Sequence, residues 1–349
     1  MVKVSIGIAA AFFALGFAAQ ANAADELVHA TWGGGGATTT RTAYAEPFTA
    51  ATKIPVKIAE VPNTAGVIRS PAAASQYSTA TVTYFEAVAL AKQGLLEPFD
   101  DKELPHLAEI PDNIIVRDKN NKVVGVPSYF GFYGIAYNSD LAKREDFASW
   151  NNLGDPKWKG KLSITRPVYA APYDLVMLAR ANGGSADDIK PGLPILEKVI
   201  ANTLTTYTSL AHMNTLLTRG EVAAVPFYST RVWHLKREGV KNVEMAIPKE
   251  GVLMLAYATV SPKGVKNRAN TAKFIDFQLR AEPQVKAATL GGGLPTNKTA
   301  KWPADFQETF GITQEDLMKV VYAPDWSKIV EENEERVNMV EKMMANAPR

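Results

Sequence analysis

Leu27-Val28-His29-Ala30-Thr31-Trp32-Gly33-Gly34-Gly35-Gly36-Ala37-Thr38-Thr39-Thr40-Arg41 sets the pattern of this chain. A short apolar strand over 27–31 meets a glycine turn, and a helix is expected over about 39–52. Residues 56–61 read as the next strand. The β-branched run 79–84 leads into a helix over 86–93, with Gly94 at the position where left-handed backbone is cheap only for glycine. Alternation continues. Strands are expected at 123–126, 134–137, 162–164, 222–227, 243–247 and 254–260. Helices are expected near 172–181, 214–219, 230–237, 269–279 and 283–289. The segment 326–344 is a long charged helix with Ile329, Val330, Val337, Val340 and Met344 as its apolar stripe. Such strand–helix alternation predicts an α/β fold with mainly parallel sheets, arranged as two lobes joined by strands.

Composition narrows the function. The 349 residues are 46% hydrophobic and 21% charged, the balance of a globular protein. A net charge of +2 provides no field to draw the chain to nucleic acid or to an acidic membrane. With no cysteine, disulfide scaffolds, thiol nucleophiles and cysteine-ligated metals are excluded; four scattered histidines offer little for a metal centre. Lys3, the apolar stretch 4–19 and Ala21-Asn22-Ala23 form a secretory signal expected to be cut after Ala23. That stretch is short for a membrane span, which needs ~20 apolar residues. The expectation is an exported, freely soluble periplasmic protein.

A set of ordered segments is more specific. Gly125-Val126-Pro127-Ser128-Tyr129-Phe130-Gly131 precedes Gly134-Ile135-Ala136-Tyr137-Asn138-Ser139-Asp140. Trp150-Asn151-Asn152-Leu153 and Pro156-Lys157-Trp158-Lys159-Gly160-Lys161-Leu162 follow, then Gly220-Glu221-Val222 and Pro248-Lys249-Glu250-Gly251. Ala272-Lys273-Phe274-Ile275-Asp276-Phe277-Gln278-Leu279 and Gly293-Leu294-Pro295-Thr296-Asn297 close the set. From about Val28 onward the chain resembles the spermidine/putrescine-type extracellular solute-binding proteins of ABC importers. That resemblance implies an α/β, two-lobe "Venus flytrap", each lobe a mixed, mainly parallel sheet flanked by helices. Lobe 1 would hold 24–137 and 260–305, lobe 2 would hold 138–259, and the helices of 306–349 would pack back on lobe 2. It further implies a monomer that traps a small solute by hinge closure and presents it to membrane permease subunits with a cytoplasmic ATPase. No cofactor or metal is expected, and no nucleic-acid partner.

The same resemblance identifies the segments lining the cleft, and their residues can be read for charge. Trp32, Gly34, Thr39 and Arg41 lie on the glycine loop, where backbone N–H groups and a helix dipole favour an anion; the alternative is an ordinary capped turn. Tyr129, Phe130, Phe132 and Tyr133 are expected on an aromatic loop between strands, which the resemblance makes a cleft wall; core packing is the alternative, expected for about half of them, with Phe130 assigned to the cleft. Tyr84, Arg166, Phe227, Tyr228, Arg231, Tyr257 and Leu294 complete the candidate set. Polyamine-binding relatives place acids near Arg166 and at Tyr257. Here these segments carry no acid but three arginines, so an anionic or zwitterionic solute is expected (an amino-acid derivative, an opine-like conjugate or a phosphorylated compound). The arginines could instead pair with surface acids such as Asp174 or Glu238. Polyamine binding is the alternative. A ferric-ion binder would show an adjacent tyrosine pair, and none occurs. An exported hydrolase would show Gly-x-Ser-x-Gly, His-Glu-x-x-His or Ser-x-x-Lys, and none occurs. His212 and His234 read as a helix-face and a surface residue, and Asp187-Asp188 as a helix N-terminus.

Overall fold

The computed structural model of the chain describes residues 26–207 and 209–347, so the expected signal segment and its cleavage site lie outside the described residues. Among the described residues eleven strands form one sheet: β1 Leu27–Thr31, β2 Val56–Glu60, β3 Thr79–Thr83, β4 Val116–Arg117, β5 Val123–Asn138, β6 Leu162–Thr165, β7 Thr203–Tyr207, β8 Ala224–Tyr228, β9 Val243–Ala246, β10 Val252–Val260 and β11 Val321–Tyr322. The order is β2-β1-β3-β10-β5-β8-β6-β7. Both ends are parallel: β1 pairs with β2 and β3, and β6 pairs with β7 and β8. The long strands β5 and β10 run antiparallel through the middle and join the two ends. Parallel strands need covered faces and crossover helices, which the strand–helix alternation supplies.

Helices of eight residues or more are α1 Tyr84–Lys92, α2 Asp174–Ala181, α3 Leu193–Ala201, α4 Leu210–Thr218, α5 Ser229–Arg237, α6 Arg268–Leu279, α7 Ala281–Gly291 and α8 Trp326–Ala345. The helical run after β1 starts at Gly35, earlier than the glycine content suggests, and passes through a π-helical turn, Arg41–Ala45. It is followed by Glu46–Thr52 and a left-handed Lys53. Neither α3 nor β7 is expected from local pattern, since Thr203–Tyr207 alternates weakly and is half-exposed. Asp187-Asp188 sits in a loop rather than at a helix N-terminus; the Ser185 hydroxyl accepts from both backbone N–H groups.

The largest correction concerns 123–138. It is one 16-residue strand, not two strands with an aromatic loop between them. Gly125, Gly131 and Gly134 disguise it: a Cβ at Gly134 would stand 3.1 Å from the Ala246 carbonyl, so the glycine admits the neighbouring strand β9.

Helix α8 touches both ends of the sheet. Lys92 Nζ on α1 donates to the Ser327 carbonyl (2.9 Å) and pairs with Glu331 (2.6 Å). Trp326 meets Phe85 and Tyr173 edge-on. The buried Arg336 donates to the Ala186 carbonyl at 2.7 Å.

Under the β1–β3 end, His29 is fully buried, with Nδ1 2.8 Å from Thr79 Oγ1 and Nε2 2.9 Å from Thr81 Oγ1. Register puts all three side chains on one face, since His29 lies beside Thr79 in the ladder. Burial without a carboxylate pushes the imidazole down to about 3, so it is neutral in the native state.

Candidate functional site

The C-terminal ends of β1, β3, β6, β7 and β8 converge where β5 and β10 cross, the location at which open α/β sheets bind ligands. Tyr257 on β10 is flanked by Thr83 of β3 and Tyr129 of β5 in register. Its ring stacks on Tyr129 (centroids 4.7 Å, 14° between planes) and receives the edge of Trp32 at 5.9 Å. Gly293 lies hard against this stack: a Cβ there would fall 2.6 Å from Tyr129 Cδ2. A second aromatic group continues from it. Tyr133 packs on Tyr228 (5.3 Å) and Tyr173 (5.5 Å), Tyr173 stacks on Tyr169 (6.0 Å), and Tyr207 meets Phe227. A cavity of about 10 Å³ lies below, lined by Thr83, Tyr84, Phe85, Tyr173, Leu255, Ala256, Tyr257 and Trp326.

Charge of both signs reaches these rings. Burial pushes the Tyr257 phenol up to about 12; the Arg231 guanidinium opposes that rise and the Glu86 carboxylate reinforces it. Arg231 also acts on Tyr129 and, after burial, lowers His234. Arg231 is half-buried in the first turn of α5 and makes no ion pair among the described residues. Glu86 closes a capping box: its Oε2 accepts from the Thr83 N–H (3.0 Å) and hydroxyl (2.9 Å), leaving Oε1 uncommitted. Asp174 is buried, accepts from the Tyr133 hydroxyl on Oδ2 at 3.1 Å, and has no partner on Oδ1. Among the described residues no group of three or more His, Asp or Glu gathers to hold a metal ion, and no helix is long and apolar enough to cross a membrane.

The family model described as "Bacterial extracellular solute-binding protein" matches residues 43–314, most of the chain and both ends of this sheet. The chain belongs to that family. Among the curated relatives of this solute-binding protein is spermidine/putrescine-binding periplasmic protein 1 of Haemophilus influenzae, 28% identical over 60% of this chain and 58% of the relative. The chain thus spans little more than half the length of the curated relatives it matches. A solved Atu4243–GABA receptor superposes with a TM-score of 0.75 at 21% identity, covering 93% of this chain and 99% of that one. AgtB of A. tumefaciens R10, solved with agropinic acid, superposes with a TM-score of 0.69 at 19% identity, covering 92% and 99%. These likenesses establish the two-lobe solute-binding fold.

The residues expected at the site separate into two groups. Trp32, Tyr228, Arg231 and Tyr257 come together with Tyr129, and Tyr84 lines the small cavity beneath. Phe130, Phe227 and Leu294 are corrected to core. Phe130 packs on Trp302 and bridges Leu294, and all three are buried. Strand alternation is the reason: with Tyr129, Gly131 and Tyr133 on one face, Phe130 and Phe132 must lie on the other. The glycine loop is likewise not an open anion site. Glu60 Oε2 accepts from the Gly34 N–H at 3.3 Å, and Arg41, exposed, pairs with Glu60 at 3.8 Å. The protein's own carboxylate therefore occupies the place an anionic ligand would take. Thr39 abuts Gly291, and Arg166 is exposed above the Tyr169 ring at 5.4 Å.

Asp174 is not a surface acid. Sequence reading makes it one and passes over Glu86: Asp174 is bonded by Tyr133, 41 residues away, and Glu86, bonded to nearby Thr83, acts on the site through Tyr257 of β10. His234 is half-buried near Gly35 rather than a surface residue, whereas His212 is exposed on α4.

Burial raises Asp174 to about 8 from an ordinary 3.8. Its sign is opposite to that of His29. Between 3.8 and 8 the native carboxyl holds a proton that the unfolded chain has released, so stability falls as pH rises. For His29, between about 3 and 6.5, the unfolded chain holds the extra proton and stability falls as pH drops. The two slopes oppose one another between about 4 and 6.5, and only Asp174 acts above that window. Unfolding free energy is expected to fall by about 2 kcal/mol from pH 6.5 to 8. Asp174→Asn should flatten this segment, which urea titrations at the two pH values would measure.

Proposed function

We propose that this chain is the periplasmic solute-binding component of an ABC importer that captures a small zwitterion or anion with an amino-bearing or planar part. Arg231 carries the reading: a half-buried guanidinium with no carboxylate partner among the described residues stands beside the stacked Tyr129–Tyr257 pair. A carboxylate or phosphonate there gains charge-assisted hydrogen bonds, while an unpaired ammonium would be repelled. The aromatic faces would sandwich the remainder of the solute, and Glu86 near Tyr257 and Asp174 at Tyr133 are carboxyls that could meet an amino group. Receptors whose descriptions carry GABA and agropinic acid share this fold.

In this reading the lobes are 24–137 with 260–305, and 138–259. They close over the solute as a monomer, and the closed form is delivered to permease subunits coupled to an ATPase. The mature chain begins after Ala23, and its role is binding without catalysis. Polyamine binding is the second reading, favoured by the two acids at the tyrosine wall and by the Haemophilus relative.

A thermal-shift screen separates them. At a concentration one hundred times Kd a true ligand stabilises by about 2.7 kcal/mol, a clear rise in Tm. γ-Aminobutyrate, 2-aminoethylphosphonate and opines are expected to shift the melt and spermidine is not. A shift with spermidine and putrescine alone would replace the first reading with the second.

A further inference from the structure

Asp174 has no role in the packing that explains its burial. It is 1% exposed, yet Oδ1 has no hydrogen-bond partner among the described residues, and Oδ2 has only the Tyr133 hydroxyl. Burying an uncompensated carboxyl is costly, and proteins normally compensate it with a cation. No side chain supplies one. On the elements packed against α2, Lys190, Glu197 and Lys198 are exposed; Arg180, at the far end of α2, donates to the Glu250 carbonyl; Arg166 is exposed above Tyr169. The groups that face the carboxyl are phenols, Tyr133 from β5 and Tyr207 from β7. Tyr173 and Tyr228 pack round Tyr133 and connect this place to the Tyr257 stack. The phenol oxygens of Tyr133 and Tyr207 and an unpaired carboxyl oxygen together make a subsite for an ammonium group, which donates to such acceptors.

We propose that Asp174 is the counter-charge for the amino group of the bound solute, and that capture of an amine-bearing solute releases a proton from this chamber. The inference rests on the binding reading above and adds a specificity residue to it. Without solute the carboxyl holds its proton because it is buried beside the Tyr133 hydroxyl with no cation near it among the described residues. An arriving ammonium stabilises the ionised form, the O–H bond of Asp174 breaks, and the proton passes to solvent while the ammonium keeps its own. With the carboxyl at about 8 when empty, about 0.9 proton leaves per amine bound at pH 7. Affinity then improves about tenfold for each pH unit from about 5 to 7 and levels off above 8.

Calorimetry of the mature protein with γ-aminobutyrate, 2-aminoethylphosphonate and spermidine, in phosphate and in Tris, counts the released protons. Butyrate serves as the amine-free control. Amines that bind are expected to release close to one proton and butyrate none. Difference infrared spectra should lose a protonated-carboxyl band on amine binding. Asp174→Asn is expected to bind amines at least tenfold more weakly and without that band. Tyr133→Phe keeps the carboxyl but removes its donor, so the pH dependence should move upward. Binding of an amine with no proton released, or at wild-type strength to Asp174→Asn, overturns the assignment and leaves the binding function standing. Failure of all three amines in the thermal screen as well would remove both.

Discussion

Arg231→Gln is expected to weaken binding of an anionic or zwitterionic solute by about 10- to 150-fold. The figure follows from about 1.5–3 kcal/mol for a hydrogen bond to a charged group. Arg231 begins α5 where the helix dipole disfavours a cation, and no carboxylate among the described residues compensates it. Arg231→Lys keeps the charge and loses the planar fork, so an intermediate loss is expected. The contrast with the other two arginines makes the test sharp. Arg41 is exposed and already paired with Glu60, and Arg166 is exposed over a ring edge of the site, so glutamine at either should cost less than about threefold. Calorimetric Kd values for the three variants decide. Equal losses at all three positions would mean a diffuse field and not a specific contact, and an unchanged Kd for Arg231→Gln would remove the anion reading.

The largest effect on stability is expected at Trp150. It is fully buried against Tyr133, its backbone N–H donates to Glu250 Oε2 at 3.2 Å, and its indole Nε1 donates to the Gly251 carbonyl at 2.9 Å. Ser149 bonds the same Glu250 at 2.6 Å, and Arg180 donates to the Glu250 carbonyl. The turn that launches β10 is thus held by residues a hundred positions earlier. Trp150→Ala should lower the unfolding free energy by about 3–5 kcal/mol, combining a large cavity with an orphaned carbonyl. Trp150→Phe refills most of the volume and should recover over half of that loss. Urea midpoints at unchanged m-value would measure both. Because β10 also carries Tyr257, Trp150→Ala should weaken solute binding while leaving its dependence on Arg231 intact.

Local pattern made the parallel ends of the sheet legible except for β7. The strand–glycine–helix start at 27–41, the β-branched run before α1 and the apolar stripe of α8 all form close to where their residue types place them. In the middle, β10 was legible but the continuity of β5 was not. Three glycines and a proline within 123–138 break the alternation that marks a strand, and only pairing with β8, β9 and β10 keeps the backbone extended. At the site, aromatic and arginine content could be read, but not which of them share a face.

What the amino-acid order determined by itself was the class of fold and the chemical vocabulary of the cleft, because periodicity and turn residues act over a few positions. Tertiary packing decided the rest. It set Phe130 and Phe227 in the core, spent Arg41 on Glu60, and left Arg231 beside Tyr257 with no ion pair among the described residues. It also sealed Asp174 among phenols. Each of these outcomes depends on a neighbour 19 to 172 residues away, and charge and desolvation act through space without regard to that separation.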